Sequence, residues 1–275
     1  MKGLRRLSRC FAVGILLIYA GCSSAAPYVG KNPENPQFER GRPFLPLDFF
    51  GDLISKPFQL LFWSRGYGNH RISPETEEAL AKFLIYYQLT DVKVRINQWA
   101  PHKEIVRVFK NPHIAWPYKI LFLPSTLISS LIGRPFSGLL MSDYYDPASN
   151  TVHIFSDEVS IALHEGSHAE DFASRKWKGT YALVRILPGI NVFQEGVASD
   201  TVFYYLEAKG EYDQLLRSYR VLYPAYSTYI VSYISASPFA LIGAIGVGHL
   251  IGQAHVHDKR EELKDLGHIP NKTVY

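Results

Sequence analysis

The sequence predicts an α+β fold, mainly helical, with a small sheet. Three observations carry this reading. Ser73-Pro74-Glu75 opens an amphipathic run, and two short strand-like segments flank a turn-forming pentapeptide. The stretch from Val221 to His257 has no Asp, Glu, Lys or Arg and carries spaced glycines that suit close helix packing. The 275 residues are 47% hydrophobic and 20% charged, which excludes disorder and fibrous repeats and fits one sizeable domain.

The first residues read as an address. Met1 to Arg9 is basic, Cys10 to Ala20 is apolar, and small residues follow, the pattern of a secretory signal and not of a spanning helix. Tyr19-Ala20-Gly21-Cys22 resembles the lipobox of bacterial lipoproteins, although Tyr19 replaces the usual leucine. That resemblance implies cleavage after residue 21, a lipid on Cys22, and a place in the cell envelope. Ser23 after the cysteine points to the outer membrane, facing the periplasm. The alternatives are an ordinary signal cleaved after Ala25 or Ala26, or an uncleaved anchor. Lys2, Arg5, Arg6 and Arg9 account for the formal charge of +4, so the chain beyond residue 21 holds 25 basic against 25 acidic residues. A nucleic-acid partner is excluded for want of an electrostatic footprint. Cys10 and Cys22 are the only cysteines, which excludes a disulfide framework and a cysteine metal site in the body.

Residues 22–47 are rich in Pro, Asn and Gly and read as an extended tether to a domain over 48–275. In that domain Ser73 caps a helix over 74–88, Asp91 to Asn97 alternates as a strand, and Pro101 to Phe109 reads as a short helix. Residues 120–133 are uncharged but too short and too Pro-broken to span a bilayer, so burial against the core is expected. Leu139 to Tyr145 and Thr151 to Phe155 form a hairpin around Asp146-Pro147-Ala148-Ser149-Asn150. Ser156-Asp157-Glu158 then supplies a cap and an acidic first turn for the next helix. The apolar region 221–254 reads as a buried helical hairpin, with a membrane span as its alternative because spaced small residues also pack helices in lipid. The tail from Asp258 reads as a solvated helical end.

The chemistry lies in His164-Glu165-Gly166-Ser167-His168, which matches HExxH. On a helix, residues i and i+4 share a face, so both imidazoles can bind one zinc ion. Glu165 can then reach a water held by the metal, acting as general base and later passing the proton to a leaving amine. A catalytic zinc needs a third protein ligand, and Glu195 in Phe193-Gln194-Glu195-Gly196-Val197-Ala198-Ser199-Asp200 is the candidate. It begins a second helix reaching Glu207, and the small residues Gly196 and Ala198 let that helix lie close to the first.

Strand, HExxH helix and Glu-bearing helix in this order resemble the gluzincin branch of the zincin metallopeptidases, and Glu-Gly-x-Ala looks like the peptidase-MA-like families. The resemblance covers residues 140–207. It implies a zincin-like domain in which His164, His168 and Glu195 hold one Zn2+ and Glu165 is catalytic. Some gluzincins place an Asp four positions after the glutamate to orient a histidine. Here that position is Ser199, Asp200 lies one step further, and Asp171 offers a substitute on the helical face of His164 and His168. The resemblance also implies a downstream Tyr or His donor, for which Tyr204, Tyr205, His249, His255 and His257 are candidates by residue type.

Two functions compete. One is a lipid-anchored zinc metallopeptidase acting on a peptide or protein, and the other is a non-enzymatic lipoprotein with a structural zinc or none. A structural site has no use for a base such as Glu165 beside an open coordination position. An envelope amide such as a peptidoglycan cross-link is a further substrate class. No GxSxG or phosphate-cradling loop offers a different chemistry. An edge strand of the sheet is expected to border the cleft, where a peptide can add by main-chain hydrogen bonds.

Overall fold

A computed structural model describes residues 28–136, 143–185, 187 and 189–267. The leader, Cys22 and most of the first predicted hairpin strand lie outside these residues. The fold is α+β, with 64% of the described residues helical and a mixed five-stranded sheet. Its strands are β1 (Gly30–Lys31), β2 (Phe38–Arg40), β3 (Lys93–Ile96), β4 (Tyr144–Asp146) and β5 (Thr151–Ile154), in the order β1-β2-β3-β5-β4. The inner pairs β2/β3 and β3/β5 are parallel, and the outer pairs are antiparallel. Asn150, at φ 52°, supplies the left-handed residue of the β4–β5 turn.

Strand alternation gives the sheet two unlike faces. Phe38, Val94, Ile96, Val152 and Ile154 are buried in one core with Leu80, Phe83 and Leu84 of α2 (Pro74–Tyr86) and Leu163 of α5 (Val159–Ser174). The other face carries Glu39, Arg95 and His153. It is met by α3 (Pro101–Lys110), whose Lys103 pairs with Glu39 at 2.6 Å and whose Arg107 donates to Gln98 at 2.6 Å.

The tether expectation fails from Tyr28 onward. Phe38 is fully buried and pairs in parallel with Val94, so the Pro- and Asn-rich stretch is a turn between two strands and belongs to the body. Helix α1 (Leu45–Leu61) follows, and no sequence expectation covered it. The expected burial of 120–133 is also corrected. Those residues lie in α4 (Trp116–Ile132), which buries Thr126 and Ser130 while Ile120, Leu121, Ile128 and Leu131 are exposed. Helix α1 has the same inverted pattern, burying Gly51, Ser55 and Gln59 and exposing Phe49, Leu53 and Leu60.

Ser73 accepts from the Thr76 amide as the cap of α2, as expected. Asp157, expected in the first turn of α5, serves α2 instead, accepting from Ser73 N (2.9 Å), Ser73 Oγ (2.7 Å) and Thr76 Oγ1 (2.7 Å). Helix α5 starts at Val159. Glu158 before it is buried and holds Arg217 (2.6 Å) and Ser64 (2.6 Å), so its charge is neutralised.

After α6 (Lys178–Val184) and α7 (Ile190–Lys209), Gly210 at φ 69° reverses the chain into α8 (Tyr212–Ser232), which pairs with α9 (Pro238–Asp265). The expected hairpin forms, but only partly buried: Ile230, Ile234, Phe239, Val247 and Leu250 are exposed. Two of its glycines have a steric reason. A Cβ at Gly248 would sit 2.5 Å from Pro224 Cα, and one at Gly252 2.6 Å from the Tyr219 carbonyl oxygen, whereas Gly243 and Gly246 face open space. In detergent solution Gly248→Ala is therefore expected to lower stability by about 1–3 kcal/mol through overpacking. Gly243→Ala is expected to be neutral or stabilising by up to about 1 kcal/mol. Thermal unfolding of the two variants checks the contrast.

Candidate metal centre and its pocket

Helix α5 is buried almost throughout, and its middle is held against α2, where a Cβ on Gly166 would meet Leu80 and Phe83 at 3.0 Å. This seats His164 and His168 one turn apart on the far side, with ring centroids 4.7 Å apart and planes at 83°. Gly189 at φ 83° starts α7, which puts Glu195 in the second turn and not at the helix start. Ala198 and Val202, both fully buried, allow the close packing of α7 on α5. Gly196 serves a different neighbour, since its missing Cβ would lie 3.3 Å from the Tyr226 hydroxyl.

The structure brings His164, His168 and Glu195 together. Glu195 Oε2 lies 3.0 Å from His164 Nε2 and 3.3 Å from His168 Nε2, and one ligand atom from each residue falls within 4.8 Å of the others. Two imidazole nitrogens and one carboxylate oxygen form a donor set that suits zinc, so the residues fit the ion. Glu165 lines the same pocket with Asp143, Tyr226 and Tyr229. The other Glu195 oxygen is engaged by Arg185, which also donates to Asn191 at 3.2 Å.

Burial opposes charge on each of these groups. It raises the Glu165 carboxyl to about 7, with the Glu195 and Asp143 charges adding to the rise and His164 and Arg185 opposing it. His168 is lowered by burial to about 4 against the pull of Glu195. On His164 burial is outweighed by the hydrogen bond and charge of Glu195, so its pKa is raised. Burial also pushes Glu195 up, but the two imidazoles hold it well below the usual carboxylate range.

The weaker sequence candidates sort differently. Ser199 Oγ donates to the Glu195 carbonyl at 3.0 Å and lies 3.5 Å from His164 Nδ1, so the position four after the glutamate sits beside a histidine. Asp200 is exposed and lines a separate hollow with Phe203 and Tyr223. Asp171 does not reach His168, because Arg175 and the Tyr181 hydroxyl occupy its two oxygens. None of the expected downstream donors lines the pocket. Tyr204 is exposed, Tyr205 packs among Phe83, Tyr86 and Tyr87, and His249 is bonded to the Leu61 carbonyl and stacked on Trp63. His255 stacks on Tyr223, and His257 is exposed.

The sequence does not single out Asp143, Tyr226 and Tyr229, which line the pocket, or Arg185, which pairs with Glu195 beside it. Tyr229 lines the pocket, and the Glu195 charge, burial and the Glu165 charge all raise its phenol well above the ordinary range, so its O–H stays protonated. Its signal was present as a stripe, Tyr223, Tyr226 and Tyr229, at helical spacing on one element. Arg185 is the lone charge between Gly179 and Asn191. Asp143 accepts from the Phe155 (2.6 Å) and Ser156 (2.9 Å) amides, fixing the corner between β5 and α5, and no short-range signal marks it.

Zinc at about 100 times its dissociation constant is expected to stabilise the full chain by about 2.7 kcal/mol, and Glu195→Gln or His168→Ala should remove most of that gain. Thermal unfolding with zinc and with a chelator measures it. Comparison of the chain with protein-family models, curated proteins and solved structures gives no match.

Proposed function

We propose that this chain is a zinc-dependent metallopeptidase of zincin type, in which His164, His168 and Glu195 would hold one zinc ion. The supporting observation is the convergence of both Nε2 atoms on one Glu195 oxygen in a pocket that also contains Glu165. A bound zinc ion supplies Lewis-acid polarisation of a carbonyl and a lowered pKa for water.

The remaining work falls to side chains. Glu165, buried and shifted to about 7, takes a proton from water at neutral pH and returns it to the leaving amine nitrogen. The protonated Tyr229 hydroxyl donates to the scissile carbonyl oxygen as negative charge develops there. Arg185 pairs with the second Glu195 oxygen and offsets its charge. Strand β4 ends the sheet, and Asp143 just before it lines the pocket, so a peptide adding along β4 would pass the site. The envelope location and the lipid on Cys22 rest on the leader sequence.

Glu165→Gln is expected to retain zinc and lose at least about a hundredfold in turnover. Tyr229→Phe should lower kcat by about 10- to 100-fold with little change in KM. Hydrolysis of a peptide library by the zinc-loaded full chain, with metal content measured on each variant, checks both. Stoichiometric zinc without hydrolysis of any peptide contradicts the enzyme reading and favours a structural ion.

A further inference from the structure

We propose that the tip of the α8–α9 hairpin, together with the outward faces of α1 and α4, docks into one leaflet of a lipid bilayer and holds the mouth of the pocket at the membrane surface. The inference stands independently of the chemistry assigned to the pocket.

Hairpin register sets the depth. Gly248 lies against Pro224 and Gly252 against Tyr219 and Arg220, so Val221 is level with Ile251. From that level to the turn, the paired arms 221–232 and 240–251 hold no charged residue. Twelve residues per arm reach about 18 Å, too short for a hydrocarbon core of roughly 30 Å but enough for one leaflet. Helix α9 is long and apolar enough to cross a membrane by length and composition, yet its second half packs on α8 through Gly252, Val256 and Leu263 and ends in charges from Asp258. Charge therefore sits at one end of the hairpin and the apolar tip at the other, where Ile234 is 78% and Phe239 86% exposed.

Three hydroxyls on the apolar arms, and one ring nitrogen of His249, are satisfied without water. Ser227, Thr228 and Ser232 donate to the carbonyls of Pro224, Ala225 and Tyr229, and His249 is bonded to the Leu61 carbonyl. On α4, Ser125 and Ser130 turn back to Phe122 and Leu127 in the same way. Such back-bonding, with Ser55, Gln59, Thr126 and Ser130 inward and most apolar residues of α1 and α4 outward, suits a surface whose solvent is lipid, the exposed Lys56 being paired with Asp52 at 2.8 Å.

The face is continuous. Phe50 of α1 meets Phe136 beyond α4 edge-on at 6.1 Å, and Trp63 beyond α1 stacks on His249 of α9 at 3.8 Å. All four tryptophans are exposed; Trp63 follows α1, Trp116 opens α4 and Trp99 donates to the Leu131 carbonyl of α4 at 3.2 Å, as interfacial rings do at the headgroup level. Tyr229, in the pocket wall, lies five residues, about 8 Å, from Ile234 at the tip. Chain length agrees: were Cys22 acylated, the six residues to Tyr28 would keep the body within about 20 Å of the lipid.

The test uses the full chain in phospholipid vesicles carrying a photoactivatable carbene precursor on one acyl chain, followed by mass-spectrometric mapping of the adducts. Adducts on residues 228–242 and on the outward residues of α1 and α4 are expected at least about tenfold above those on 258–265. Ile234→Glu combined with Phe239→Glu should cut the tip adducts by about tenfold. Both positions are exposed, and thermal unfolding in detergent should match the parent. A tip labelled no more than 258–265, or a tip protected by cross-linking to a second copy, would overturn the proposal.

Discussion

Burying Glu165, Glu195, His164 and His168 in one pocket is unfavourable unless their charges balance, because each ion taken from water costs several kcal/mol. The fold meets this constraint with contacts between Glu195 and the two imidazoles and with Arg185 on the far Glu195 oxygen. A divalent cation on the same donors would meet it more fully. The packing of α7 on α5 through Ala198 and Val202 makes that arrangement accessible, and the sheet corner fixed by Asp143 sets where α5 begins.

Much of this was legible locally. HExxH places two imidazoles on one face by helix period alone, and Ser73-Pro74 marks its helix by cap chemistry. Glu195 was readable from its small neighbours, although Gly196 makes room for Tyr226 on α8 and not for α5. What escaped depends on distant pairing. Asp143 and Arg185 acquire meaning only when the chain closes, and the donors chosen by residue type had no geometry to separate them from Tyr229.

The larger misreading concerned what apolar means. Pro and Asn near the start suggested a tether, but a single buried Phe38 and its ladder with Val94 are enough to fix a strand there. In 120–133 the apolar sequence predicts core, yet the sheet face beneath is ionic, so Thr126 turns inward to Asp146 and the aliphatic side chains turn out. Polar pairing beneath decides which side of α4 is buried. The hydrophobic effect then requires another apolar environment for the side left exposed.

The central claim is that two histidines and one glutamate share a cation. X-ray absorption at the zinc edge on the zinc-loaded full chain tests it most directly. A shell of two imidazole nitrogens and carboxylate oxygen at about 2.0–2.2 Å is expected, with an oxygen lost in Glu195→Ala. A spectrum indifferent to replacement of His164, His168 and Glu195 would contradict it.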